Sequence, residues 1–106
     1  GLKDANAIAR SVRNIVMTTP GEKFFNPNFG SKISASLFEN MDDLSALTIR
    51  EEIENSIRRF EPRVILDDIV VAPNFDNNSF DVTVIYRIVG IDIPQQQLEF
   101  VLESTR

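Results

Sequence analysis

The sequence contains no cysteine, histidine or tryptophan, and each absence removes a class of chemistry. Without cysteine no disulfide can form, so the fold has to be held by its core, and the redox compartment is unconstrained. Without histidine and cysteine, the chain has neither the usual zinc ligands nor a Ser-His or Cys-His nucleophile. The sequence therefore predicts no metal site and no cofactor, and leaves carboxylates, arginines, lysines, hydroxyls and backbone groups to carry any function.

Basic charge and long apolar runs are also scarce. The 106 residues include 11 lysines and arginines against 16 aspartates and glutamates, which gives a net charge of -5. This acidity argues against binding to nucleic acid or to anionic membranes, because both need a basic surface. No apolar run is long enough to span a bilayer. The chain begins with Gly1 rather than methionine, and the sequence leaves open whether native residues precede it.

Helical periodicity dominates the first sixty residues. It predicts a helix from about residue 4 to 17, ended by Thr18-Thr19-Pro20-Gly21. The longest helix is expected to be capped by Asp43 and to stop at Glu61, because Pro62 cannot continue it. Its apolar residues repeat at helical spacing and are expected to face the core: Leu47, Ile49, Ile53, Ile57 and Phe60.

A loop over residues 20–30 is dense in aromatic residues and contains the run Phe25-Asn26-Pro27-Asn28-Phe29-Gly30. Three phenylalanines in one loop, counting Phe24, are expected to plug one end of the core, because large exposed apolar patches are unusual. An exposed patch that binds a partner is the alternative.

From Val64 onwards the apolar period changes to two, which is typical of strands. We expect three strands: residues 64–72, 80–89 and 97–103. Asp67-Asp68 should form a bulge or an exposed stretch, and Asp76-Asn77-Asn78-Ser79 a turn. This order predicts an α+β fold in which amino-terminal helices pack on one face of a three-stranded antiparallel meander. The middle strand should be central and the other two should be edges.

Residues 1–106 are expected to form one domain, with a helical part over 1–61 and a sheet over 62–106. Within it, no catalytic pattern is specific. Acidic residues cluster in two places, but every acidic protein offers such sets, whereas a glycosidase needs two carboxyls that flank a cleft. The clusters are Glu39, Asp42 and Asp43, and Glu51, Glu52 and Glu54. The sequence therefore predicts no catalytic residue.

The order of the segments resembles one family over nearly the whole chain. A basic helix around Ile8–Val16 is followed by the Phe25–Gly30 run, then by Leu37-Phe38-Glu39, the long helix, Glu61-Pro62-Arg63 and the meander. This pattern is similar to that of the GPW/TssE family, the small baseplate wedge proteins of contractile phage tails and type VI secretion systems. The Glu-Pro-Arg triplet is the family's hallmark, and it is intact here.

The resemblance implies a structural, non-enzymatic part in the baseplate of a contractile injection machine, with several copies per baseplate. Implied partners are the baseplate wedge proteins and the tail sheath protein, with inner tube proteins as a further candidate. The implied location is a virion tail baseplate or a cytoplasmic assembly of such a machine. A cell-wall glycosidase of the lysozyme type remains the alternative function, because some family members carry a lysozyme label, and a generic interaction domain is a third option.

The resemblance also assigns roles to residues. Glu61, Pro62 and Arg63 are implied to dock onto neighbouring wedge proteins, although Arg63 could instead cover its own helix end beside Glu61. The loop motif is implied to be structural: Phe25, Pro27, Phe29 and Gly30.

Family members also offer a sheet to which the first sheath ring adds strands, which implies an open edge. An edge strand at residues 97–103 would expose backbone groups to an incoming strand. We therefore predict that Gln97, Glu99 and Val101 bind a partner. The edge at residues 64–72 stays open as the alternative.

Overall fold

Two helices precede a three-stranded antiparallel sheet in the computed structural model, which describes residues 2–24 and 38–103, with side chains over 3–17 and 38–103. The elements are α1 (Leu2–Phe24), α2 (Asp43–Phe60), β1 (Val64–Asn74), β2 (Ser79–Ile88) and β3 (Gln96–Glu103). The predicted α+β arrangement is confirmed. Neither helix in the described part of the chain is long and apolar enough to cross a membrane.

Both helices differ at one end from the prediction. The Thr18-Thr19-Pro20-Gly21 segment does not end α1, whose backbone stays helical to Phe24. Pro20 removes only one helical N–H, and its fixed φ suits a helix, so a stop there is favoured but not forced. The α2 cap is Asp42 rather than Asp43, because the extended Asp42 backbone lets its carboxylate accept the Ser45 N–H at 2.8 Å.

The sheet has the order β1-β2-β3, so the prediction that the middle strand is central is confirmed. The predicted bulge is also present, since the β1–β2 register shifts between Leu66 and Asp68. The predicted turn at 76–79 is confirmed except for its last residue, because Ser79 already belongs to β2.

Both helices pack on one face of the sheet and enclose the core there. The buried apolar residues of β2 alternate along the strand, as the sequence predicts: Phe80, Val82, Val84, Tyr86 and Ile88. The α2 contribution is Ala46, Ile49, Ile53 and Ile57. Leu47 and Phe60, which were expected to face the core, are 47% and 60% exposed instead. The other face of the sheet, which we call the outer face, carries the alternate residues of each strand.

Candidate functional site

The Glu61-Pro62-Arg63 triplet lies at the corner where α2 ends and β1 begins. Glu61 has a non-helical backbone, and its N–H still bonds to the Ile57 carbonyl at 2.8 Å. Pro62 cannot extend the helix. Val64, the first residue of β1, donates its N–H to the Glu61 carbonyl at 3.2 Å. The chain therefore changes from helix to strand within three residues.

The Glu61 carboxylate is buried and fully engaged at this corner. The residue is 2% exposed, and Arg63 donates to both carboxylate oxygens, from Nε at 2.9 Å and from Nη2 at 2.7 Å. The hydrogen bonds from Arg63 lower the pKa of Glu61 below its usual value, although burial opposes them. The Ser11 side chain of α1 also interacts with the carboxylate and lowers its pKa. Glu61 therefore ties α1 and the end of α2 to the start of β1.

Arg63 has a different environment from its partner, because 57% of its side chain is exposed. Its two bonds to Glu61 use two of the five N–H groups of the guanidinium. The two readings of Arg63 therefore do not exclude each other: it neutralises Glu61 inside the domain and keeps part of its guanidinium at the surface. Its binding to a partner stays a prediction.

An exposed aromatic residue, Phe60, adjoins the triplet, so the prediction that it faces the core is wrong. The Phe60 ring is stacked with the Arg59 guanidinium, whose central carbon lies 5.1 Å from the ring centroid. Phe60 closes the last turn of α2, where a residue at helical spacing can already point past the sheet. Its position at the end of the helix, directly before Glu61, was the only feature of the sequence that could have indicated its exposure.

The outward direction of β3 can be read from the hydrogen bonds of its neighbours. The Val89 N–H bonds to the Arg63 carbonyl at 2.8 Å. The odd-numbered residues of β2 therefore turn their backbone N–H and C=O groups towards β1. Because the direction of these groups alternates along a strand, the backbone groups of Tyr86, Val84 and Val82 point towards β3. Their partners are Gln96, Leu98 and Phe100. The residues between and beyond those partners turn their N–H and C=O groups away from the sheet: Gln97, Glu99, Val101 and Glu103.

These outward residues of β3 also have accessible side chains on the outer face. Val101 is 52% exposed, and Gln97 donates weakly to Glu99, at 3.3 Å. The inward residues Phe100 and Leu102 are buried. Within the described part of the chain, no element pairs with this side of β3. The structure thus places Gln97, Glu99 and Val101 together along one open edge, as predicted, while their use by a partner stays a prediction.

The opposite edge, on β1, is obstructed. Beyond the bulge, Ile69 turns its backbone groups outward, and both are already bonded. Its N–H donates to the Asp68 carboxylate at 2.8 Å, and its carbonyl accepts from Arg50 Nε of α2 at 3.0 Å. Four residues further along, Pro73 has no N–H to offer. A strand that approached β1 would therefore find the backbone groups of Ile69 already bonded and no N–H at Pro73.

The bulge itself is fixed by a second ion pair. Asp67 accepts from Arg87 Nε and Nη2, with the shortest distance 2.9 Å, and from Gln95 at 2.8 Å. These bonds lower the pKa of Asp67. They connect β1, β2 and the segment before β3.

None of the carboxyls with a shifted pKa in the described residues has the environment of a general acid. The pKa values of Asp42, Glu61 and Asp67 are all lowered, chiefly by hydrogen bonds that favour the charged form. A glycosidase acid needs the opposite shift, so that it is protonated near neutral pH. The Phe25–Gly30 motif lies outside the described residues.

Comparison with known proteins identifies a family. The family of baseplate wedge protein gp25 matches residues 3–92. The chain is 31% identical to baseplate wedge protein gp25 of Enterobacteria phage T4 over 99 residues, which are 93% of this chain and 75% of that protein. A crystal structure from Geobacter sulfurreducens, of a protein provisionally named a tail lysozyme, aligns with a TM-score of 0.72 at 22% identity. It covers 97% of this chain and 93% of that one, and at this identity it supports the fold alone.

Proposed function

The chain belongs to the gp25 family of baseplate wedge proteins, and we propose that it starts the tail sheath of a contractile injection machine. In this proposal it is a structural component of the baseplate. Its β3 edge accepts a strand from the first ring of sheath subunits, and its helix–strand corner docks onto neighbouring wedge proteins.

The contrast between the two sheet edges carries the proposal. Edge strands usually have their backbone groups covered or obstructed, because an unprotected edge recruits other strands. Here β1 is obstructed by the bulge, by Arg50 and by Pro73, whereas β3 leaves alternate N–H and C=O groups facing outward. A domain that needed no partner strand would gain nothing from this difference. Strand addition gives the open edge a use through main-chain hydrogen bonds.

The corner supports the docking part of the proposal. Pro62 fixes the angle of the chain, and the bond to buried Glu61 fixes the guanidinium of Arg63, so little side-chain freedom is lost on binding. Arginine and aromatic residues are enriched among the residues that dominate binding energy. The exposed Phe60 ring lies directly before the triplet and extends this surface.

We propose no enzymatic activity, and the glycosidase alternative has less support. The matched relative from phage T4 is named as a baseplate wedge protein. The lysozyme name belongs to a protein that is similar in fold at 22% identity, which does not transfer an activity.

Two neighbouring glutamines provide the test. Gln97→Pro removes an outward N–H of β3, whereas Gln96→Pro removes an N–H that faces Tyr86 of β2. Each variant would be produced with the sheath and tube proteins of its own machine. Assembled sheaths would be counted by electron microscopy, and the isolated variants would be melted.

We expect Gln97→Pro to block sheath formation with near-normal stability. Gln96→Pro should mainly lower stability, and it also loses the bond from the Gln96 side chain to the Pro94 carbonyl. Normal sheath assembly by a folded Gln97→Pro variant would refute strand addition at β3.

A further inference from the structure

The outer face beside the open β3 edge is acidic and contains a depression, and these features specify the strand that the edge accepts. Resting on the proposed strand addition, we propose that the incoming strand is amphipathic and carries a lysine or arginine opposite Glu99. That cation would lie over the depression between β2 and β3, and the alternate residues of the strand would be apolar and extend the core.

The depression has a volume of about 350 Å³ and is lined by Asp81, Val82, Thr83, Glu99, Phe100 and Val101. The side chains of Val82 and Phe100 are buried on the helix side, so these two contribute backbone, and the depression opens on the outer face. Its polar rim consists of two carboxylates and the Thr83 hydroxyl. In the described residues, neither Asp81 nor Glu99 has a cationic partner.

The strand register places the two carboxylates on either side of the depression. Thr83 lies opposite Glu99, and Asp81 lies opposite Val101. Asp81 and Glu99 are therefore diagonal neighbours, with Cα atoms roughly 7–8 Å apart. A single ammonium or guanidinium group can interact with both.

The edge geometry determines which residue of a partner reaches this site. An added strand lies about 4.8 Å beyond β3, with its side chains alternating between the two faces. A side chain opposite Glu99 on the outer face must cross β3 to reach Asp81. Only lysine and arginine combine that length with positive charge. Their aliphatic stems can also lie along the Val101 side chain.

The other face of the incoming strand would adjoin the apolar row on the helix side of β3. Leu98, Phe100 and Leu102 point towards the helices at this edge. The Arg13 guanidinium of α1 lies 5.1 Å from the centroid of the Phe100 ring and covers it. Apolar residues of the partner would extend this row, which completes the expected pattern of alternating apolar and polar residues around a central cation.

The test uses two synthetic nine-residue peptides in which threonine and valine alternate. The central threonine is replaced by lysine in one peptide and by glutamate in the other. Both sequences are symmetric in pattern, so either strand direction presents the central residue near Glu99. Binding to the whole chain would be followed by NMR through the backbone amides, up to millimolar peptide.

We expect both the position and the charge preference of binding to be visible. The amides of Gln97, Glu99 and Val101 should shift most, because their N–H groups face outward. The lysine peptide should bind roughly three- to tenfold more tightly than the glutamate peptide. Glu99→Lys should reverse this preference. The matched control Asp92→Lys changes the net charge equally at an exposed site outside the strands, and should preserve the preference.

The outcomes separate this inference from the proposed function. Equal binding of both peptides at the edge would leave strand addition intact and overturn the inference about charge. An equal effect of Glu99→Lys and Asp92→Lys would overturn it as well, because the preference would then reflect only net charge. Amide shifts confined to another surface, or none at the edge with either peptide, would refute strand addition at β3 and the inference with it.

Discussion

Glu61→Gln tests whether the corner is held by a buried charge. The Glu61 side chain is 3% exposed, and it accepts two hydrogen bonds from Arg63. Hydrogen bonds to charged groups contribute about 1.5–3 kcal/mol. Because more than half of Arg63 is exposed, solvent screens part of this interaction. We therefore expect Glu61→Gln to lower the free energy of unfolding by about 1–2 kcal/mol at pH 7.

Asp67→Asn is the matched control, because Asp67 also receives a two-pronged bond from an arginine, Arg87, but at the surface. Its loss of stability should be smaller than that of Glu61→Gln. Urea unfolding of the wild type and both variants would measure the two losses. If Glu61→Gln costs no more than Asp67→Asn, the buried-charge account of the corner is wrong.

The pH dependence gives an independent check on the same carboxylate. Arg63 lowers the pKa of folded Glu61 below the ordinary value of about 4.3, which the unfolded chain retains. The stabilisation is therefore complete above that value and is lost as the pH falls through the lower, folded pKa. The gap between wild type and Glu61→Gln should be constant from pH 7 to about 5 and should shrink at pH 3. A gap that is undiminished at pH 3 would show that shape, rather than charge, causes it.

Three further predictions concern the cap, the core and the activity. Asp42→Ala should lower the melting temperature by roughly 4–8 °C, since it removes the N-cap bond to Ser45, while Asp43→Ala should change it little; equal effects would contradict the cap assignment. Ile53→Ala, at a fully buried position, should cost about 2–5 kcal/mol in urea unfolding, against less than about 0.5 for Leu44→Ala at 71% exposure. The purified protein should not clear peptidoglycan in a turbidity assay, and clearing that disappears when one carboxylate is replaced would establish an enzyme instead.

The sheet was predictable from sequence because its central strand is buried on one face along its whole length. A period of two in Phe80, Val82 and Val84 has no competing helical interpretation. The strand order followed from the short connections. The exposed positions of Leu47 and Phe60 could not be predicted in the same way, because helical spacing identifies a stripe but not where the partner surface ends.

One inserted residue determines which residues of β1 turn their backbone groups away from the sheet. Before the bulge, Arg63 and Ile65 turn their backbone N–H and C=O groups towards β2. After the bulge, Asp68 and Val70 do so. Asp67 thus reverses the phase of β1 and turns Ile69 outward, where Arg50 can reach its carbonyl. The sequence indicated a bulge or an exposed stretch at Asp67-Asp68 without distinguishing them. The obstruction of β1 therefore had to be observed, because it combines a local backbone shift with a side chain from a distant helix.

An open edge also has to avoid pairing with a second copy of itself, and the acidic residues of β3 provide this protection. Two β3 edges that paired antiparallel would bring Glu99 opposite Glu99 in one register and, two steps along, Glu99 opposite Glu103. Directly opposed like charges destabilise a strand pair. The whole chain carries a net charge of -5, which adds a weaker general repulsion between copies. The same carboxylates would attract a cationic strand, so one charge pattern both rejects the identical edge and selects a different one. Under the proposal, this dual effect would let β3 stay uncovered in the described part of the chain, whereas the β1 edge, whose outward groups include neutral Val71, is obstructed by Arg50, Asp68 and Pro73.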